Sequence, residues 1–429
     1  MNVLIIGAGY VGTTTGLIFA ELGHSVTVID VDQKKINGLQ KGILFFYEPG
    51  LDTLLTKHLA SGNITFEMDH QKAIKDNPLI FICVGTPQNQ DGSANLDFLR
   101  EASEFIGTNL NAYKIIVIKS TVPAGTSKQV KRWIEITKKD SVSFDVVSNP
   151  EFLREGSALH DALYPDRIIL GSENDQATAL LQELYKGIKA PFIVTTPSAA
   201  ELIKYTANSF LATKISFINE IAILCDKLHI NVQDIAKGVG LDIRIGPLFL
   251  DAGIGYGGSC FPKDVLALID TAKKNNIDLS ILEKVHAVNE NQPGYLFKKI
   301  KTRLISLSAK KMAVLGLSFK AQTDDIRQSP SLKIIQDLIN EGAMVEVHDP
   351  VAKLPGDLMD KVLQKDSPEE AMTNADAILI CTDWPHYKNI DWPDIKNKMK
   401  SPIVFDGRNM LDAAEMRSIG YIYEGIGYE

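Results

Sequence analysis

A glycine-rich turn near the N-terminus constrains the fold of this chain more than any other stretch. Val3 to Ile6 is a short apolar, β-branched run, and Gly7-Ala8-Gly9-Tyr10-Val11-Gly12 follows it at once. Thr13 to Leu22 then reads as a helix, and Val26 to Ile29 as a second strand that ends at Asp30. A G-x-G-x-x-G alone is weak evidence. Strand, glycine turn, helix, strand and acid in that order define a βαβ unit that binds a dinucleotide. Gly7 permits the tight turn, Gly9 lets a pyrophosphate approach the backbone, and Gly12 lets helix and strand pack closely. The helix N-terminus offers unpaired N–H groups and the positive end of its dipole. Asp30 suits the adenosine ribose hydroxyls and repels a 2′-phosphate, so NAD is expected over NADP. Lys34 and Lys35 soften that preference.

Further strands are expected at Leu79–Val84, Lys114–Ile118 and Asp145–Val147, with helical patterns between several of them. The alternation argues for a parallel, doubly wound sheet. The middle differs. From Ser198 to about Leu228 there is no Gly or Pro, and Leu202, Tyr205, Ala207, Phe210 and Leu211 suit one long helix. More helices are expected to about residue 290, as a linking domain and an oligomer interface. After Pro293 the α/β pattern returns, with strands at Lys311–Leu315, Met344–His348, Ala377–Ile380 and Ile403–Phe405 and a helix from Ser331 to Asn340. This last third looks like a second nucleotide-binding fold. It has only Gly316-Leu317-Ser318 in place of the full fingerprint, so its ligand should sit differently. The expected fold is α/β, with two Rossmann-like doubly wound domains joined by a helical central domain. The boundaries fall at 1–196 for NAD binding, 197–295 for the central domain, and 296–429 for the second Rossmann-like domain.

The 429 residues, 45 % hydrophobic and 23 % charged, make a globular chain whose core needs no disulfide support. A formal net charge of −8 and the lack of a basic patch argue against nucleic acid. The N-terminus has no signal-peptide pattern and no apolar run is long enough to span a bilayer, so a cytoplasmic location is the simplest expectation. The four cysteines form no CxxC pair and have no histidine cluster beside them, so no metal site is expected.

The most unusual stretch is Gly253-Ile254-Gly255-Tyr256-Gly257-Gly258-Ser259-Cys260-Phe261-Pro262-Lys263-Asp264. Four glycines in six residues allow close backbone approach to a ligand. Pro262 suits the first turn of a helix, which places Cys260 at its N-terminus with Lys263 close by. Both features favour a thiolate, the reactive form of cysteine. Cys83 and Cys381 in apolar strands and Cys225 in a helix read instead as small buried residues. Lys204 and Asn208 lie four apart on the long helix and share one face. Lys204 interrupts an apolar pattern, and beside a reacting alkoxide it would stabilise negative charge. A solvated lysine is an equal reading from the helix alone.

Three segments end strands on the edge where such folds bind ligands. They are Val84-Gly85-Thr86-Pro87, Lys119-Ser120-Thr121-Val122-Pro123 and Ser148-Asn149-Pro150-Glu151-Phe152-Leu153-Arg154-Glu155-Gly156. Glu151 and Glu155, four residues apart, suit acid–base chemistry through water, and an ordinary surface loop is an equal reading from these residues alone.

Taken in order, GAGYVG at 7–12, STVP at 120–123, NPEFLREG at 149–156, GGSCFPKD at 257–264 and FKAQTDDIR at 319–327 resemble the UDP-glucose/GDP-mannose dehydrogenase family over nearly the whole chain. The resemblance implies two successive NAD-dependent oxidations of a nucleotide sugar, carrying a C6 alcohol through an aldehyde to a carboxylate. UDP-glucose is favoured over GDP-mannose or a UDP-N-acetylhexosamine. By position, Cys260 would attack the aldehyde to give a thiohemiacetal and then a thioester that water hydrolyses. Lys204, Asn208 and Asp264 would stabilise oxyanions and steer a water, while Glu151 and Thr121 would serve acid–base and water-positioning roles. The resemblance further assigns Tyr10, Val11, Asp30, Lys35, Thr86, Thr121, Glu155, Lys263 and Arg327 to NAD. To the nucleotide sugar it assigns Glu151, Phe152, Leu153, Lys204, Asn208, Phe249, Leu250, Gly257, Phe319, Lys320 and Arg408. Arg244 resembles a residue that reaches a neighbouring subunit's sugar site, which implies a homodimer or larger homo-oligomer.

Overall fold

The computed structural model describes residues 1–139 and 141–428. The chain forms two compact units, residues 1–207 with 266–277, and residues 208–265 with 278–429.

Among the described residues the first unit is built on eight strands: β1 (Asn2–Ile6), β2 (Ser25–Ile29), β3 (Ile64–Glu67), β4 (Leu79–Ile82), β5 (Lys114–Ile118), β6 (Phe144–Ser148), β7 (Ile168–Gly171) and β8 (Phe192–Thr195). They lie in the order β3-β2-β1-β4-β5-β6-β7-β8. Strands β1 to β6 pair parallel, and β7 joins β6 antiparallel through Ser148 and Gly171. Alternate residues feed different cores. Val3, Ile5, Ile115 and Val117 belong to one cluster, and Leu4, Ile116 and Ile118 to another. Both faces of the sheet are therefore covered at its centre, which is why β1, β4 and β5 read as nearly continuous apolar runs.

The second unit repeats the plan with β9 (Lys311–Leu315), β10 (Met344–His348), β11 (Val362–Gln364), β12 (Ala377–Ile380), β13 (Ile403–Asp406) and β14 (Ile422–Glu424). The order is β11-β10-β9-β12-β13-β14, parallel throughout. Met312 and Val314 enter one core, Ala313 and Leu315 the other. In each sheet the strand order reverses beside the first strand, at β1/β4 and at β9/β12. Ligands bind at such switch points, beyond the carboxyl ends of the strands.

The long helix is Pro197–Leu228, one residue longer at its start than expected, since proline is tolerated in a first turn. A second difference concerns Pro293. It does not end the helical region but lies buried inside a helix that runs from Ser280 to Leu304. Leu296 and Ile300 on that helix are fully buried, so core packing carries it past the missing N–H of Pro293. The strands β3, β7, β8, β11 and β14 were not foreseen. The first helix begins at Tyr10, three residues before the expected Thr13, with Gly9 as its N-cap.

Candidate active site

In the first unit the glycine turn is built as its spacing requires. Gly7 has φ +101°, and an added Cβ would lie 2.8 Å from the Cys83 carbonyl oxygen. A Cβ on Gly12 would lie 1.8 Å from the Gly7 carbonyl oxygen, so only glycine fits there. At Gly9 nothing lies within 4 Å of the same position. Helix Tyr10–Glu21 carries no side-chain cap and no acid in its first turn. Its leading N–H groups thus face an open approach, which fits an anionic pyrophosphate. Asp30 stands at the end of β2 and accepts from the N–H groups of Ala8 (2.7 Å) and Asp32 (2.8 Å), which fixes its carboxylate beside the turn. Lys35 lies 5.3 Å from the centre of the Phe45 ring. Val11 is partly buried in the first turn of the helix.

Around the ends of β4, β5 and β6 the side chains interlock. The Thr86 hydroxyl donates to the Thr121 carbonyl at 2.8 Å, and the Ser120 hydroxyl donates to the Val84 carbonyl at 2.7 Å. Glu151 is 6 % exposed and Lys204 3 %, and Lys204 Nζ stands 3.1 Å from Glu151 Oε1. Glu151 Oε2 also accepts from the Leu153 N–H at 2.5 Å. Lys204 Nζ lies 5.3 Å from the centre of the Phe152 ring, and the Arg167 guanidinium stacks on that ring at 3.9 Å. Lys204 is thus a buried cation paired with a buried carboxylate, and the solvated alternative is ruled out.

Three further residues of this unit escaped the sequence reading. Lys119 Nζ donates to Asn149 Oδ1 (3.1 Å) and to the Tyr185 hydroxyl (3.2 Å), tying the end of β5 to the end of β6. Glu201, one turn before Lys204, accepts from the N–H groups of Gly125 (2.6 Å) and Ser127 (2.7 Å). It thereby caps helix Thr126–Thr137, which follows the Thr121 segment. Glu48 is buried among polar donors. A glutamate three residues before Lys204 and a lysine opening the Lys119–Pro123 segment are visible signals; nothing local marks Glu48.

In the second unit Cys260 immediately precedes helix Phe261–Lys274 and is partly exposed. Its carbonyl accepts from the Asp264 N–H at 2.9 Å, and its sulfur lies 3.5 Å from the Ser259 hydroxyl. Asp264, 1 % exposed, accepts from Asn208 Nδ2 and from Lys263 Nζ, each at 2.6 Å. Lys263 therefore spends its charge on Asp264. The other three cysteines are buried. Burial pushes the thiols of Cys83 and Cys381 up to about 12 and raises that of Cys225. Burial thus disfavours the nucleophilic thiolate at all three.

The glycine-rich loop before Cys260 hangs from side chains. Asn219 Oδ1 accepts from the Gly253 N–H at 2.9 Å. Asn289 pairs with both backbone groups of Tyr256, at 2.8 and 3.0 Å. Gln292 donates to the Gly253 carbonyl at 2.9 Å. Arg408 spreads its guanidinium over the carbonyls of Cys381 (2.8 Å), Gly255 (2.9 Å) and Phe319 (3.0 Å). Its three arms thus hold the loop, which the sequence could not reveal. Gly257 packs against the Gln328 carbonyl, and a Cβ on Gly258 would lie within 2.9 Å of three Phe319 ring atoms. Leu250 is buried, Phe249 takes φ +65°, and Lys320 Nζ stands 5.7 Å from the Phe319 ring centre. Arg244 is 85 % exposed and paired with Asp242, and Arg327 is paired with Asp325 at 2.7 Å.

Comparison with known proteins bears on this arrangement. Three models of the UDP-glucose/GDP-mannose dehydrogenase family match in order: the NAD binding domain over residues 1–189, the central domain over 198–291 and the UDP binding domain over 313–413. UDP-glucose 6-dehydrogenase TuaD of Bacillus subtilis (strain 168) is 45 % identical over 99 % of this chain and 93 % of its own. A UDP-glucose dehydrogenase structure from the hyperthermophilic archaeon Pyrobaculum islandicum superposes with a TM-score of 0.94 at 38 % identity, covering 100 % of this chain and 98 % of that one. A UDP-D-ManNAc dehydrogenase structure from Pyrococcus horikoshii gives 0.88 at 29 %, covering 100 % and 99 %.

Proposed function

This chain belongs to the UDP-glucose/GDP-mannose dehydrogenase family, and from that premise we propose that it oxidises C6 of UDP-glucose to the carboxylate of UDP-glucuronate with two NAD per turnover. The observation that carries the reading is Cys260. Among the described residues it is the one partly exposed cysteine, set at a helix N-terminus behind a glycine-rich loop and followed by the Asp264 pair with Asn208 and Lys263. The relative at 45 % identity and the structure at 38 % favour glucose over the N-acetylmannosamine of the 29 % neighbour. The match to a UDP binding domain favours uridine over guanosine.

NAD, when bound, supplies the hydride acceptor for both oxidations. The glycine turn, Tyr10, Val11, Asp30, Lys35, Thr86, Thr121, Glu155, Lys263 and Arg327 are proposed to hold it. Glu151, with Thr121 placing a water, takes the proton of the C6 alcohol as the aldehyde forms. The aldehyde offers no easily lost hydride until a nucleophile adds, which is the need for Cys260. Its thiolate adds to C6 and gives a thiohemiacetal. Loss of the second hydride and of the hydroxyl proton leaves a thioester. Water then adds to C6, the C–S bond breaks, and the thiolate and a carboxylate are released. Lys204 supplies fixed positive charge for the successive oxyanions, with Asn208 and Asp264 steering the water. Phe152, Leu153, Phe249, Leu250, Gly257, Phe319 and Lys320 are proposed to bind the nucleotide sugar. For Arg408, whose guanidinium is committed to three carbonyls, we propose that it shapes that site by holding the loop.

For this chemistry we divide the chain at 1–196, 197–295 and 296–429. A nucleophilic thiol favours the reducing cytoplasm. We also propose a homodimer or larger homo-oligomer. Phe210, Phe217 and Leu224 recur every seven residues on the long helix, Leu228 follows one turn later, each is more than half exposed, and Arg244 is exposed beside Ile243. The test is stoichiometric. Wild-type protein should form two NADH per UDP-glucose consumed, and Cys260→Ser should still bind both ligands without completing the reaction. No turnover of UDP-glucose at millimolar concentration would remove the substrate assignment.

A further inference from the structure

Glu48 lies outside every motif used above. It sits in Tyr47-Glu48-Pro49-Gly50, between helices Gln33–Gln40 and Leu51–Ser61, and is only 4 % exposed. Its carboxylate is held by donors from two distant parts of the first unit. Oε2 accepts from the Tyr10 hydroxyl and from the Gly156 N–H at 2.6 Å. Oε1 accepts from the Ala158 N–H at 2.7 Å. One donor belongs to the glycine turn and two belong to the turn that follows Glu155. The Tyr10 ring rests on Phe46, with centroids 4.9 Å apart. Burial, then the Glu48 hydrogen bond, then the charges of Glu48 and Glu155 raise the Tyr10 hydroxyl above its ordinary range, so it remains a neutral donor. Glu155 thus stands close enough to Tyr10 to act on it electrostatically.

We infer that Glu48 is a positioning residue of the cofactor site, clasping the glycine turn at Tyr10 to the Gly156–Ala158 turn so that Glu155 is pre-set for the dinucleotide. The inference rests on the reading that NAD binds at the glycine turn. A dinucleotide seated there by its pyrophosphate extends beyond the turn, and its far end meets loops from other strands. If those loops were ordered only on binding, the ordering would subtract from affinity. A buried carboxylate with two backbone N–H donors and one hydroxyl donor holds the spacing in advance. Glutamine is a poor substitute. Its amide nitrogen would face one of the N–H donors and turn a bond into a repulsion.

The test uses the full-length protein in four forms: wild type, Tyr10→Phe, Glu48→Gln and the double variant. NADH affinity is read by fluorescence titration, UDP-glucose affinity by calorimetry, and Tm by scanning calorimetry. Tyr10→Phe removes one donor and leaves both backbone bonds. It should raise the Kd for NADH about tenfold with Tm and the Kd for UDP-glucose unchanged. Glu48→Gln should raise the Kd for NADH roughly tenfold to a hundredfold, and the double variant should lose less than the two single losses combined. NADH affinity within twofold of wild type in both single variants overturns the inference. So does a parallel loss of both ligands' affinity together with Tm, which marks a purely structural residue. Where Glu48→Gln fails to fold, Glu48→Asp takes its place: it keeps the carboxylate but shortens its reach, and NADH affinity within twofold of wild type overturns the inference. A wild-type protein that binds no NADH overturns the underlying reading instead.

Discussion

Replacing Lys204 by methionine, Lys204→Met, should separate a stability effect from a catalytic one. Methionine keeps the length and much of the volume of the side chain, so no large cavity opens. What it removes is the partner of Glu151, 3.1 Å away with both side chains at most 6 % exposed. Breaking a buried ion pair from one side leaves an uncompensated charge and costs about 3–5 kcal/mol. The Leu153 N–H still serves Glu151, which places the expected loss near the lower end. For a compact unit of roughly two hundred residues, that corresponds to a fall in Tm of about 6–12 °C. Adding Glu151→Gln to Lys204→Met neutralises the orphaned carboxylate and should restore most of the lost Tm. Activity should not return, because both residues are assigned to the chemistry. The loss of kcat for Lys204→Met alone should be on the order of a hundredfold to a thousandfold, the range for removing an oxyanion stabiliser. The assay is scanning calorimetry beside NADH formation at saturating ligands. A Lys204→Met protein with wild-type Tm, or a double variant that regains none of it, would refute the argument from a buried pair.

Cys260→Ser should cut overall turnover at least about a hundredfold, since serine is both a poorer nucleophile and a poorer leaving group, while fluorescence titration still finds NADH bound. Gly12→Ala should abolish NADH binding and lower Tm, because the new Cβ would lie 1.8 Å from the Gly7 carbonyl oxygen; unchanged titration would contradict the turn geometry. His348 gives a pH dependence. Burial, and then His386, hold it below its ordinary value of 6.5. The folded second unit therefore disfavours the proton that the unfolded chain accepts, and this contribution to stability is present above pH 6.5 and lost as pH falls through the lowered value. Urea midpoints at neutral and mildly acidic pH should show that loss in wild type and less of it in His348→Gln.

The sequence made the central strands readable and the rims obscure. Lys114–Ile118 and Ala377–Ile380 were expected with the bounds they have, because each is buried on both faces and Ile115–Ile118 and Ala377–Ile380 are unbroken apolar runs. The strands missed are short and lie at or next to the sheet rims. β3 alternates buried and exposed residues, and the middle of β8 is exposed. Their pairing is fixed by neighbours rather than by their own composition. Among site residues, Cys260, Lys204 and the glycine turn stood out because each broke a local pattern. Glu48, Lys119 and Arg408 did not. Glu48 finds its donors 108 and 110 residues away, and Arg408 reaches Gly255 across 153, separations at which local sequence carries no signal.

The suspension of the Gly253–Cys260 loop has a consequence for kinetics. Its backbone is held by Asn219, Asn289 and Gln292, neutral amides that do not titrate, and by Arg408, a guanidinium that burial shifts downward but that keeps its proton in proteins. Acid or alkali that protonates a carboxylate or strips a thiol therefore leaves these tethers intact. Above the range in which His348 takes up its proton, a pH–rate profile of this protein therefore reports the reacting groups rather than a loosening of this loop.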